Sequence, residues 1–383
     1  MTSLRRVSSL TLHSLRVSAR TEWLFVELKY DDGISGFGEA TMEGHETAVK
    51  HAIADVARLV EGEHRVTGPV MGAVGQFALG NRARFTAVSA LEQALWDARG
   101  KRKGLPVAEL LGPVLGHPRL YANINRSIDV RTPEGFAAKA AAAVAAGFGA
   151  IKIAPFDGLD WTTGYKPGQE ARYREGLARV AATRAAVGDD IDLMVDCHWR
   201  FDPDTSERLI GDVAQYRLYW LECPVPELPG SIPAIAALRG SCADRGMLLA
   251  GLESLNGLAE FLPWLEAGAL DVVMPDVKYA GGLGECRLIA QAAERHGIIC
   301  SPHNPTGPVC HAASLHLAAG LANCPILEHQ YAETPLFHEI VAGGFPALVN
   351  GRANLPPGPG FGIELALPQS TEVLDPLGCA LQH

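Results

Sequence analysis

The sequence predicts an α/β protein: a closed parallel barrel preceded by a smaller α+β unit. Three observations carry that expectation. Eight short apolar runs follow residue 118, most of them separated by roughly 25 to 30 residues, the length of a βα unit. Ala-rich stretches of helical periodicity fill most of the intervals. Seven consecutive runs carry an ionisable residue at or near their C-terminal ends, where a parallel barrel builds its active site.

Length and charge narrow the function. A chain of 383 residues, 48% hydrophobic and 20% charged, holds enough apolar material for a large core. Its formal charge of -10 has the wrong sign for nucleic acid or an anionic membrane as main partner. A small anionic substrate stays compatible, because a metal ion or a few lysines invert the local sign. No apolar run approaches the roughly 20 residues of a membrane span. The opening MTSLRRVSSLTLHSLRV has no signal-peptide apolar core, so a cytoplasmic location is expected. Eight cysteines (197, 223, 242, 286, 300, 310, 324 and 379) form no CxxC pair, and are expected to be reduced, buried, small apolar side chains.

Residues 1–118 read as the α+β unit. TEWLFVELKY alternates as a strand, DDG turns the chain and ISGFGEA resumes, a pattern for an antiparallel hairpin. Helical periodicity follows from about Thr47 to Leu59. It returns in TAVSALEQALWDARGKRKGLPVAELLG through Val88, Leu91, Leu95 and Trp96, and Gly104, Pro106 and Gly112 close these helices.

The runs after residue 118 are LYANIN (120–125), AIKIA (150–154), IDLMVD (191–196), LYWLE (218–222), MLLAGLE (247–253), DVVMPD (271–276), GIICSPH (297–303) and CPILEH (324–329). Lys152 lies on the second. The third ends in Asp196, followed by His198 and Arg200 in VDCHWRF. Glu222, Glu253, Asp276, His303 and Glu328 mark the ends of the remaining five. Alternation along a strand would send Asp196, His198 and Arg200 into one cleft.

Asp196, Glu222 and Glu253 end three neighbouring strands. Three carboxylates held together repel unless a cation neutralises them, and an all-oxygen set favours a hard ion such as Mg²⁺. Asp276 and His303 end adjacent strands. A carboxylate beside an imidazole fixes its tautomer and raises its basicity, as a general base requires.

These residues together resemble the enolase superfamily, and within it the mandelate racemase-like branch. SALEQALWDARGKRKGLPVAELLG is similar to the helix and loop that join that family's cap to its barrel, and GISGFGEA to a cap hairpin. MPDVKYAGGLGE, SPHNPTGP and LEHQY resemble its sixth, seventh and eighth strand segments. The resemblance implies a modified TIM-type (β/α)7β barrel with an α+β capping domain. The cap would span 1–118 and the barrel 119–329, with 330–383 returning to the cap. It also implies Mg²⁺-assisted removal of the proton beside a substrate carboxylate, and a homo-oligomer.

Two departures from the family pattern shape the expected reaction. Many members carry Lys-x-Lys on the second strand; here Lys152-Ile153-Ala154 keeps the lysine that contacts the substrate carboxylate and lacks the usual base at Ala154. Asp276 stands where muconate-lactonizing and dipeptide-epimerase relatives have lysine. An isomerase working with two opposed bases would lack one of them. Asp196-x-His198 resembles instead the galactonate- and mannonate-dehydratase pattern, whose histidine is the acid for a departing hydroxyl.

The resemblance therefore implies dehydration of an aldonate or aldarate to a 2-keto-3-deoxy acid. His303, oriented by Asp276, would take the C2 proton, and His198 would protonate the C3 hydroxyl. Lys152 and Glu328 would stabilise the enediolate, Glu328 by being protonated or otherwise donating. A racemase, epimerase or cycloisomerase working through the same enediolate is the alternative, and a non-catalytic descendant of the fold a second.

Weaker candidates remain. Arg200 is expected either on a distal substrate group or in a rim salt bridge. Glu43 and His45, in ATMEGHET, lie in a loop that resembles the family's specificity loop, with His45 a candidate substrate contact. Lys278, two beyond Asp276, is expected either to face the site or to pair with a neighbouring acid, the second reading being the structural one. Trp161, Tyr165 and Lys166 occupy a loop that could close over substrate. Gly281-Gly282-Leu283-Gly284 lacks the Lys-Ser/Thr of a phosphate-binding loop and reads as a turn.

Overall fold

The structure, a computed structural model, describes residues 6–60, 78 and 80–375. Its N-terminal part is the expected hairpin extended to an antiparallel sheet of order β12-β1-β2-β3. The strands are β1 (Val7–Arg16), β2 (Glu22–Tyr30), β3 (Ser35–Glu39) and, from the far end of the chain, β12 (Glu372–Leu374). Gly33, at φ 82°, makes the predicted turn between β2 and β3. The helices Glu46–Val60 and Arg82–Lys103 cover one face of the sheet, and Leu24, Val26, Leu28, Ile53, Ala90 and Leu91 are buried between them. The alternating glycines of ISGFGEA have a steric cause. A Cβ on Gly36 would stand 2.0 Å from Ala94 O, and one on Gly38 1.9 Å from Ala90 O.

Eight parallel strands follow: β4 (Arg119–Asn123), β5 (Ala150–Ile153), β6 (Asp192–Asp196), β7 (Trp220–Glu222), β8 (Leu248–Gly251), β9 (Val272–Val273), β10 (Ile299–Cys300) and β11 (Ile326–Gln330). Their spatial order is β10-β9-β8-β7-β6-β5-β4-β11, so β11 closes on β4 with Glu328 opposite Tyr121. The seam between β10 and β11 is held by Ser301 Oγ donating to Ile326 O and Cys300 N–H donating to Asn323 O, both at 2.9 Å. An α-helix fills every interval between sequential strands, which is the (β/α)7β arrangement. The seven described cysteines are free and buried, and Cys379 lies outside the described residues. No described helix is long and apolar enough to cross a membrane.

Two cap carboxylates fasten this barrel. Glu39 accepts the N–H groups of Gly307 (2.7 Å) and Cys310 (3.0 Å) at the start of the helix Pro308–Ala318. Glu92 accepts those of Leu283 (2.8 Å) and Gly284 (3.0 Å) at the start of the helix Leu283–Arg295. Helix N-termini present unpaired N–H groups and a positive dipole end, so a carboxylate satisfies both. Gly281 and Gly282 thus form the turn that the sequence suggested, and Leu283 and Gly284 open the helix with amides that meet Glu92. Those two helices follow β9 and β10, the strands that lead to Asp276 and His303.

Candidate active site

Inside the barrel, Tyr121, Ala150, Met194, Trp220, Ala250, Val272, Met274 and Ile326 form a closed apolar layer. Side chains on a strand alternate, so the residue two positions further points into the same space. Asn123, Lys152, Asp196, Glu222, Asp276 and Glu328 occupy those positions, and the apolar floor is therefore roofed by a polar layer. All six are buried.

Asp196, Glu222 and Glu253 meet, with one oxygen of each within 4.8 Å of the others. Glu253 Oε2 is buried without a hydrogen-bond partner, and His303 Nε2 stands 3.5 Å from it. A buried carboxylate oxygen without a hydrogen-bond donor, beside two further carboxylates, fits a hard cation. Burial pushes the Glu222 carboxyl up and Lys152 pulls it down. Asp196, Glu328 and Glu253 add to the rise, which reaches about 8. Burial also works against the Asp196 charge, yet the adjoining His198 and Lys152 hold that group at about 2.

Lys152 Nζ bridges Glu222 Oε1 at 2.6 Å and Glu328 Oε1 at 2.8 Å. Glu328 also accepts from Asn123 Nδ2 and from the Asn304 N–H, each at 2.8 Å. Burial raises its pKa, but Lys152 and His303 outweigh burial and keep it below the ordinary value. A protonated or otherwise donating Glu328 was the expectation; in this structure three donors, Lys152, Asn123 and the Asn304 N–H, converge on its carboxylate, which accepts from each. Asn123 escaped the sequence reading because it is not ionisable. Its signal was the period-two spacing from Tyr121.

Asp276 Oδ2 and His303 Nδ1 are 2.7 Å apart. Burial disfavours a charged His303, while Glu253, Asp276 and Glu328 raise its pKa above the ordinary value. Lys278 pairs with Asp276, one of the two outcomes expected of it, with Nζ 3.0 Å from Oδ2. Neither Asp276 nor His303 lies in a strand ladder; both follow two-residue ladders by three positions.

The segments beyond β6, β7 and β8 share an unusual backbone. His198 (φ 48°), Trp199 (φ 55°), Cys223 (φ 46°) and Leu252 (φ 72°) are left-handed without being glycine. Such conformations cost of order 1 to 3 kcal/mol each and persist where surrounding contacts hold them. The holding group here is Glu227, which the sequence reading missed. Its carboxylate accepts from Trp199 Nε1 (3.0 Å), Leu252 N–H (2.8 Å) and Cys223 Sγ (3.5 Å). Asp196, His198 and Arg200 do reach one cleft, but not by strand alternation. The strand ends at Asp196, and the left-handed turn redirects His198 so that its Nε2 returns to 2.8 Å from Asp196 Oδ2.

The cleft, about 450 Å³, is lined by Lys152, Asp196, His198, Arg200, Glu253 and His303 from the barrel, with Glu43 and His45 from the cap. Ala154 is also on its wall. Glu43 pairs with Arg126 at 3.0 Å. Arg200 forms no rim salt bridge among the described residues; it donates to Leu159 O at 3.1 Å. Trp161 does not close over the site. It is fully buried against Tyr173, Phe201 and Tyr165, because the chain there bridges to Phe201. Lys166 pairs with Asp160.

A capped (β/α)7β barrel with a buried carboxylate cluster at its C-terminal mouth defines an enolase-superfamily enzyme. The chain belongs to the mandelate racemase/muconate lactonizing enzyme family: residues 5–112 match that family's N-terminal domain and residues 135–370 the enolase C-terminal domain-like family. The D-galactonate dehydratase of Ralstonia nicotianae is 30% identical over 354 residues, 90% of this chain and 88% of that protein. The one from Verminephrobacter eiseniae is 31% identical over 318 residues, 82% and 78%. The crystal structure of a mandelate racemase/muconate lactonizing enzyme from Jannaschia sp. CCS1 superposes with a TM-score of 0.82 at 29% identity, covering 94% of this chain and 95% of that one.

Proposed function

We propose that the protein is a Mg²⁺-dependent dehydratase of a sugar acid. The observation that carries this reading is the pair of imidazoles opening into one cleft, His303 fastened to Asp276 and His198 to Asp196, with Lys152 buried on the same wall. Similarity to proteins named D-galactonate dehydratase supports the same reaction class. Asp196, Glu222 and Glu253 would hold the cation, which when bound lowers the barrier to forming an enediolate.

The chain's own groups do the rest. Lys152, whose charge Glu222 and Glu328 sustain deep in the barrel, orients the substrate carboxylate. Asp276 holds His303 Nδ1, leaving Nε2 to take the proton from C2. His198 gives a proton to the C3 hydroxyl as the C3–O bond breaks, water leaves, and the enol tautomerises to a 2-keto-3-deoxy acid. Ala154 offers no second base for the opposite face, which favours elimination over racemisation.

The test is product chemistry. Purified protein with Mg²⁺ is incubated with a panel of aldonates and aldarates, and 2-keto-3-deoxy acids are assayed. Epimerisation or cyclisation of a substrate without loss of water would sink the assignment.

A further inference from the structure

The cleft holds more positive charge than this chemistry uses. Arg20, Arg82, Arg126, Arg131, Lys152 and Arg200 all line it. Three are committed: Arg126 to Glu43 at 3.0 Å, Arg131 to Asp157 Oδ1 at 3.0 Å, and Lys152 to Glu222 and Glu328 at 2.6 and 2.8 Å. The other three have no carboxylate within ion-pair distance among the described residues. Arg82 donates to Ser254 O at 2.7 Å and lies over the Tyr279 ring, and Arg200 donates to Leu159 O at 3.1 Å. Arg20 stands in the turn between β1 and β2.

These three guanidinium groups come from separate segments: a cap turn, the start of a cap helix, and the loop beyond β6. The carboxylates left on the cleft wall, Asp196 and Glu253, belong to the cation cluster. A monocarboxylate substrate brings one negative charge, which Lys152 and the cation share. Filling the cleft with a ligand whose far end is neutral would strip water from three guanidinium groups and give them no counter-charge. A second anionic group supplies it, and the planar guanidinium fork suits carboxylate or phosphate oxygens.

We propose, resting on the dehydratase reading, that the substrate carries a second anionic group, held by one or more of the cleft arginines that have no carboxylate partner, Arg20, Arg82 and Arg200. In a sugar acid that group is the far carboxylate of an aldarate or the phosphate ester of a phosphoaldonate.

The experiment compares three six-carbon acids of one configuration with the Mg²⁺-loaded protein: the aldonate, the aldarate and the 6-phosphoaldonate. Kd is measured by calorimetry and kcat/KM by product assay. One of the two-anion acids is expected to bind about tenfold or more tightly than the aldonate, and which one identifies the anion. That advantage should shrink with rising salt in the wild type, and shrink toward unity in at least one of R20M, R82M and R200M. Equal Kd for the aldonate, or an advantage that neither salt nor these substitutions reduce, overturns the inference while leaving a dehydratase in place. If no acid loses water, the dehydratase assignment falls, and the Kd ratio still decides the charge preference.

Discussion

Lys278 Nζ lies 3.0 Å from Asp276 Oδ2, the same oxygen that holds His303 Nδ1 at 2.7 Å. One buried carboxylate oxygen thus serves a buried ammonium and an imidazole that opens into the cleft. Burial raises the Asp276 pKa, but Lys278 and His303 more than offset it, and the group stays ionised. Removing the lysine leaves a buried charge only partly compensated. Lys278→Met is therefore expected to lower the unfolding free energy by about 3 to 5 kcal/mol. His303→Asn, which keeps the Asp276–Lys278 pair, should cost less. Denaturant melts of the two variants check this, and equal losses would contradict the shared-oxygen account.

The cation cluster predicts a graded response. Asp196→Asn should abolish Mg²⁺ binding in calorimetry, whereas wild type should melt at a higher temperature with Mg²⁺ than without it. Glu227 touches none of the three carboxylates' oxygens, yet it holds the left-handed backbone beside each of them. Glu227→Ala is expected to weaken Mg²⁺ binding by about 10- to 100-fold, as loss of ligand-orienting partners commonly does. Unchanged affinity would show that the loops keep their shape without it.

The two imidazoles should separate by isotope exchange. With His303 taking the C2 proton, His303→Asn loses both exchange of C2 hydrogen with solvent and dehydration. His198→Asn keeps the exchange and slows dehydration by about 10²- to 10⁴-fold, the usual worth of a general acid. Deuterium uptake at C2, followed by NMR in heavy water, reads the first step alone. Exchange lost in both variants would remove the distinction between base and acid.

What the sequence showed of this site, and what it hid, follows from period and distance. The polar layer was legible because each of Lys152, Asp196, Glu222, Asp276 and Glu328 stands two residues after a small or bulky inward-facing apolar side chain. Local alternation encodes that. Glu253 and His303 were placed correctly near strand ends, though the ladders stop at Gly251 and Cys300. The left-handed turn after Asp196 was not legible, since neither His198 nor Trp199 is a glycine, and the modest enrichment of histidine in that conformation does not mark a turn by itself. Nor were Glu39, Glu92 and Glu227. Each acts on backbone N–H groups that only the folded chain brings to it, and no spacing marks such partners.

Acid stability offers a test of the fold around the site. His316 is fully buried in the helix Pro308–Ala318, and its Nδ1 accepts the Ala108 N–H at 3.1 Å, a bond that requires the neutral ring. Burial depresses its pKa to about 4, against about 6.5 in the unfolded chain. A depressed folded-state pKa means that stability is complete above pH 6.5. As pH falls toward 4, the unfolded chain binds a proton that the folded one refuses. Glu222, raised to about 8, works in the opposite sense over that range, so the total curve does not isolate the histidine. The difference from His316→Gln does, because the amide keeps an acceptor for Ala108 and cannot titrate. The wild type's advantage over this variant is expected to shrink by about 1.4 kcal/mol per pH unit below 6.5, roughly 3 kcal/mol in all by pH 4. Paired urea melts across that range measure it, and a difference that does not vary with pH would show that His316 takes up its proton equally in both states.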